Sequence, residues 1–402
     1  FYRYNVLTPL NEVGGAPERG ASTPEAFHAA TLARWRTHPR SMLATGTHDT
    51  KRGEDHRARV AALSEFPDEW RATVSQWLRI NAGHRTVGPG GPPPSRNDED
   101  LFYQALVGAW PAADVPPRRV PDGLAARLAA FMEKAVREAK VHTSWVNVND
   151  AYERAVQRFV EGVLASDTTP RFLAALAPLL PRLCEAGVVN SLAQLTLKLA
   201  SPGVADFYQG TESWDLSLVD PDNRRPVDFA ERAARLHDLR PLLDEALAPG
   251  AGAPGIDLAA DVAQLLEQWP DGRIKTYVTA CGLRLRRQRP ALFLHGDYVP
   301  LEADDVGAQH LVAFAHRSGG EELIALAPRA TRRLRPPDQW LPTGAAVWGI
   351  SRVRLPEADD EALYRHLLTG EVVKARRIAG APALLAAGVL RTCPVALLWR
   401  QA

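Results

Sequence analysis

The sequence is poor in cysteine. Cys184, Cys281 and Cys393 are the only three in 402 residues. Their odd number and wide spacing exclude a disulfide framework and leave reduced thiols of a cytoplasmic protein as the simple reading. The eleven histidines come without an HxxxH or CxxC frame. That argues against structural zinc, and neither a metal nor a cofactor is expected. Charge of one sign is also missing. The 48 Lys and Arg against 47 Asp and Glu leave a net charge of +1, so nothing draws the chain to nucleic acid or to an anionic membrane. No run reaches the ~18 apolar residues that a membrane helix needs. The Leu/Ala-rich stretch 172–183 is broken by Pro178 and Pro181. There is no internal repeat and no low-complexity tract.

What remains is ordinary globular composition, 46% apolar and 24% charged. The length suits two or three domains of roughly 150 residues each. Apolar residues three and four apart predict helices at 26–38, 58–63, 70–81, 97–108, 123–140, 151–164, 191–199, 229–247 and 257–268, with another opening at 273. Gly and Pro at 88–94 predict an exposed loop. Short β-rich runs at 311–316, 322–326, 345–350 and 395–400 suggest a terminal sheet domain. Segments 41–45 and 204–208 read as short strands, the second entered through the Pro202-Gly203 turn.

The most informative run is Met42-Leu43-Ala44-Thr45-Gly46-Thr47-His48-Asp49-Thr50-Lys51-Arg52. An apolar segment enters His-Asp and then a charged turn. This pattern suits a buried parallel strand presenting polar side chains at its carboxyl end, where barrel enzymes do their chemistry. A helix start capped by Asp49, with His48 merely packed, fits the same residues. Lys51 and Arg52 either bind substrate or pair on the surface with Glu54 and Asp55.

Further motifs follow in order: Asn11-Glu12-Val13-Gly14-Gly15, then 103–111, Lys134 to Lys140, His142-Thr143-Ser144-Trp145, 201–212 and 220–228. The series resembles the maltooligosyl trehalose synthases of the α-amylase superfamily. The resemblance runs from Phe1 to the carboxyl terminus, with weak stretches near 85–96 and 240–260. It implies an α/β fold: the carboxyl-terminal part of a (β/α)8 TIM barrel, a large helical insertion and a C-terminal β-sandwich. The implied segments are 1–54 with barrel strand 7, 55–185 as the insertion, 186–290 with the last strand and its following helices, and 291–402 as the sandwich.

The resemblance also implies a reaction. The reducing-end α-1,4 link of a maltooligosaccharide becomes an α,α-1,1 link by intramolecular transglucosylation. The family uses three carboxylates, and Asp49 matches the third, a transition-state stabiliser; Gly46 stands where a Ser is more usual. Substrate contacts are implied for His48, Lys51, Arg52, Tyr4, Lys134, His142, Trp145, Tyr208, Gln209, Glu212, Asp222, Asn223 and Arg224. No segment here resembles the motifs of the nucleophilic Asp or the acid/base Glu. The chain opens on Phe1-Tyr2-Arg3-Tyr4 without an initiator Met or a signal peptide. It is therefore expected to be the carboxyl-terminal half of a longer enzyme, partnered by the amino-terminal half that carries those two carboxylates. An α-amylase-type glycoside hydrolase and a non-catalytic glucan-binding fragment are the competing readings.

Overall fold

The computed structural model describes residues 1–86, 93–248, 256–356, 359, 361–378 and 380–401. The loop expected at 88–94 lies outside these except for Pro93 and Pro94. The chain is mixed helix and sheet, and it divides into two compact units. The first comprises Phe1–Gly20, Gly46–Val188 and Asp215–Pro226; the second comprises Ala21–Thr45, Val189–Trp214 and Val227–Ala402.

The first unit is helical. Its helices include Glu54–Ala61, Pro67–Ile80, Arg96–Ala109, Leu124–Ala139, Asp150–Ala165 and Thr169–Leu176. Arg96–Ala109 runs through the middle. Ser95 caps its start by accepting from the Asp98 N–H at 3.2 Å. At the other end, the buried Arg59 guanidinium donates to the carbonyls of Val107 (3.1 Å) and Trp110 (2.5 Å), groups the helix itself cannot satisfy. Trp77 packs on Phe172 and Tyr103 with ring centroids 4.7 and 4.8 Å apart, filling the core with aromatic area. Gly108 has a steric reason: a Cβ there would sit 2.3 Å from Nε2 of the fully buried His56.

The second unit holds the strands. They are β1 (Met42–Ala44), β2 (Val204–Asp206), β3 (Asp297–Leu301), β4 (Leu311–Ser318), β5 (Glu321–Pro328), β6 (Arg352–Arg354), β7 (Leu363–His366), β8 (Val372–Lys374), β9 (Arg376–Ile378), β10 (Ala381–Leu385) and β11 (Ala396–Arg400). β1 and β2 pair parallel, Met42 opposite Val204 and Ala44 opposite Asp206. The parallel strand was expected; its burial is not found. Met42 is 68% exposed and Val204 45% exposed, because within the described residues each strand pairs only with the other.

A six-stranded sheet runs β3-β4-β5-β11-β7-β8, and a three-stranded one β6-β10-β9. The large sheet is covered on both faces. Along β4, Leu311, Ala313 and Ala315 enter one apolar cluster, shared with Val353 of β6 and Leu384 of β10. The alternate residues Val312 and Phe314 enter another, with Leu285 and Leu292 from helices. The period of two sends successive side chains to opposite clusters, which is why β4 and β5 read as continuous apolar runs. Segment 345–350, expected as a strand, is a helical turn at Ala345–Trp348. Gly344 and Gly349, at φ 72° and 49°, bracket it, and the Trp348 indole N–H donates to the Pro342 carbonyl at 2.8 Å. Segment 229–247 is two helices, Phe229–Asp238 and Arg240–Ala246, with Pro241 in the first turn of the second.

No single helix among the described residues is long and apolar enough to cross a membrane. The bent pair Thr169–Leu176 and Leu180–Ala200 passes by length and composition only when taken together, and most of it is buried.

Candidate active site

The site is built on the turn that follows β1. The Thr47 hydroxyl accepts the Asp49 N–H at 3.2 Å, and the Thr50 hydroxyl donates to the Thr47 carbonyl at 2.8 Å. Such local bonds replace a helix or strand ladder and set a tight turn. Glu12 holds the next residues: its carboxylate accepts the N–H groups of Lys51 at 2.7 Å and Arg52 at 3.1 Å. Asn223 then donates its amide to the His48 carbonyl at 3.1 Å. The backbone is fixed by neighbouring groups while the side chains of His48 and Asp49 stay exposed. His48 and Asp49 are 63% and 66% exposed, with Nε2 and Oδ2 3.4 Å apart.

Charges alternate around this pair. Arg224 lies 3.8 Å from Asp49 and 4.0 Å from Asp220. Lys134 donates to Asp220 at 2.7 Å and lies 3.8 Å from Glu138, which Lys51 approaches at 3.9 Å. The hydrogen bond from Lys134, with the charges of Lys134, Arg224 and Lys51, holds the Asp220 carboxyl below the usual range. Burial alone would raise the Asp222 carboxyl. Two bonds from Arg127, at 2.8 Å each, and the Leu218 N–H at 2.7 Å overcome that and hold it low.

Six residues expected at the site are thus together in the first unit: His48, Asp49, Lys51, Lys134, Asn223 and Arg224. Asn223 is buried and faces backbone, and Asp222 is committed to Arg127 and Leu218, so both brace the turn. Arg52 differs from both sequence readings. It is 2% exposed, under the Tyr2 ring at 5.9 Å, and Glu54 and Asp55 are buried too, so no surface pairing exists there. The cause is the helix that begins at Glu54: its first turn enters the core, where Asp55 accepts the Asp215 N–H at 2.6 Å.

The remaining candidates have other neighbours. Tyr4 is half exposed, and its carbonyl accepts from Asn11 at 3.3 Å. His142 stacks on Tyr152 at 4.4 Å, and Trp145 lies under the Arg137 guanidinium at 4.7 Å. Arg137 shares a helix face with Lys134 and Glu138 but bonds to Glu153 at 2.6 Å instead. Tyr208, Gln209 and Glu212 belong to the second unit, where Gln209 is exposed and Glu212 is ion-paired with Arg232. Trp214 donates to the Trp269 carbonyl at 2.7 Å.

Glu12, Asp220 and Arg127 were not among the expected site residues. Glu12 and Asp220 lie inside quoted motifs. Arg127 carried a subtler signal, since 127, 134 and 138 repeat at seven and four and so share one stripe of the helix Leu124–Ala139. Burial pushes the Cys281 and Cys393 thiols up to about 12 and raises Cys184, so none is a ready nucleophile. Among the described residues no cluster of His, Cys, Asp and Glu could hold a metal ion.

No protein-family model matches the chain. A Mycobacterium tuberculosis protein given the name maltooligosyl trehalose synthase is 37% identical over 339 residues, 83% of this chain and 37% of its own length. A solved maltooligosyltrehalose synthase from Arthrobacter ramosus is 38% identical with a TM-score of 0.73, covering 100% of this chain and 44% of that one. The chain is a homologue of the maltooligosyl trehalose synthases over most of its own length. A second solved maltooligosyl trehalose synthase gives 30% identity and a TM-score of 0.70. The chain therefore spans less than half the length of these maltooligosyl trehalose synthases.

Proposed function

We propose that this chain supplies part of an enzyme that converts the reducing-end α-1,4 linkage of a maltooligosaccharide to an α,α-1,1 linkage, giving maltooligosyl trehalose in the cytoplasm. Asp49 stabilises the oxocarbenium-like transition state, and His48 donates to hydroxyls of the same sugar. Lys51, Lys134 and Arg224 hold substrate hydroxyls around them. Tyr4, His142, Trp145, Tyr208, Gln209 and Glu212 keep a proposed sugar-recognition role. The nucleophilic Asp and acid/base Glu come from the amino-terminal half of the same enzyme.

In this reading β1 and β2 are barrel strands 7 and 8. Residues 55–185 are the insertion, 186–290 carry the last strand and following helices, and 291–402 form the β-sandwich. The exposed faces of Met42 and Val204 fit strands that require further neighbours. The observation that carries the assignment is the exposed His48–Asp49 pair on a backbone pinned by Asn223 and Thr47. Fixed backbone with free polar side chains is what pre-organised transition-state contacts need.

That same exposure favours one alternative for the chain by itself, a glucan-binding fragment. The test is to incubate the chain, alone and mixed with the preceding polypeptide, with maltopentaose. Maltooligosyl trehalose formed only by the mixture supports the proposal. Glucose release without the α,α-linked product from the mixture would make it a hydrolase, and binding without turnover a glucan-binding module.

A further inference from the structure

The second unit contains a cavity of about 230 Å³. Gln288 and Arg289 stand at one side, at the end of the helix Arg273–Gln288. Arg365 of β7 and Trp399 of β11 stand opposite each other in register, with Arg400 and Gln401 beyond. Leu285 and Leu367 contribute apolar wall.

The polar wall is already ordered. The Arg289 guanidinium lies over the Trp399 ring at 5.1 Å and pairs with Glu321 at 3.1 Å. Arg365 donates to the carbonyls of Ala246 at 2.8 Å and Glu245 at 3.1 Å, and lies 3.7 Å from the Glu245 carboxylate. Arg400 bonds to Asp359, which is largely exposed. These carboxylates stand outside the lining, and no Asp or Glu lines the cavity among the described residues. The wall is therefore rich in N–H donors, and its side-chain acceptors are the amide oxygens of Gln288 and Gln401. The hydroxyls of a neutral sugar can accept from these donors but bring no charge to match the guanidinium groups. The phosphoryl group of a sugar phosphate brings only acceptors and negative charge, and guanidinium groups match it in geometry and charge. The indole and leucines offer apolar surface to a ring. The volume is below the ~300–1,000 Å³ of pockets for drug-sized ligands, so it suits one ring.

We infer that this cavity binds a phosphorylated monosaccharide, at a site separate from the chemistry assigned to Asp49. The inference does not rest on the glycosyl-transfer reading, because binding is measured without turnover.

The experiment is calorimetric titration of the chain with glucose 6-phosphate, glucose and inorganic phosphate. Glucose 6-phosphate should bind at least tenfold more tightly than either of the others. Arg289→Gln and Arg400→Gln should each weaken it about tenfold or more, the scale of one charge-assisted hydrogen bond. Gln288→Trp, at an exposed rim position, should block the mouth without touching the core and abolish binding. Melting curves check that each variant stays folded. Equal binding of glucose would make the cavity a neutral glucan subsite and overturn the inference. So would absent binding of glucose 6-phosphate, or binding unchanged in the folded variants.

Discussion

Lys198 Nζ donates to Thr45 Oγ1 at 2.7 Å, and to the Asp206 carbonyl at 3.1 Å. Thr45 follows β1 and Asp206 ends β2, so one buried ammonium ties the carboxyl ends of the two parallel strands. The Phe207 ring lies 3.7 Å from the same charge. Replacing Lys198 with Met keeps the stem and strands the acceptors. The expected loss is about 1–3 kcal/mol in stability, read by urea unfolding of the chain. An unchanged midpoint would show that the strands hold register without it.

Asp49→Asn should leave folding intact, since the side chain is exposed and its ion contacts, at 3.4 and 3.8 Å, are loose. Turnover of the complete enzyme on maltopentaose should fall by at least ~100-fold, the ~3 kcal/mol scale of one lost transition-state contact. Turnover near wild type would remove Asp49 from the mechanism.

Gly108→Ala should be strongly destabilising. The new Cβ would meet the His56 ring, which is enclosed and has nowhere to move. Overpacking of this kind costs about 1–3 kcal/mol. Thermal melts would register it as a lowered Tm, and His56→Ala in the same chain should recover part of the loss.

Acid should weaken the second unit through two buried histidines. Burial lowers His316 and His366 to about 4 from an ordinary 6.5. The unfolded chain takes up protons below 6.5 that the folded chain refuses until about 4. Their contribution is thus full above pH 6.5 and lost as pH falls toward 4, on the order of 3 kcal/mol per histidine. Urea titrations at pH 7, 5.5 and 4.5 measure the slope, and a flat profile would contradict the burial.

Trp145→Ala tests the insertion as a lid. Trp145 is 54% exposed and held by Arg137, so its loss should leave the fold standing. If the insertion excludes water, glucose released per α,α-linkage should rise, because water then competes with the retained sugar for the intermediate. A lower rate at an unchanged ratio would make Trp145 a structural support.

Much was legible in the residues alone. Period-3.6 apolar spacing located the helices near 97–108, 123–140 and 151–164, and short β-rich runs located β4 and β5, whose apolar residues are continuous because both faces are buried. The run through His48 and Asp49 pointed to the turn after β1, where the proposed site is placed, because polar residues follow directly on a short apolar segment. Tertiary structure decided the rest. That Arg52 is buried while adjacent Lys51 stays near Glu138 follows from a helix starting at Glu54, which turns one side chain inward and leaves the next outside. That Asp222 and Asn223 brace the turn depends on Arg127 and His48, 95 and 175 residues away in sequence. Local pattern carries periodicity and burial; the partners of a charged side chain are chosen by packing between distant segments, and no spacing along the chain encodes them.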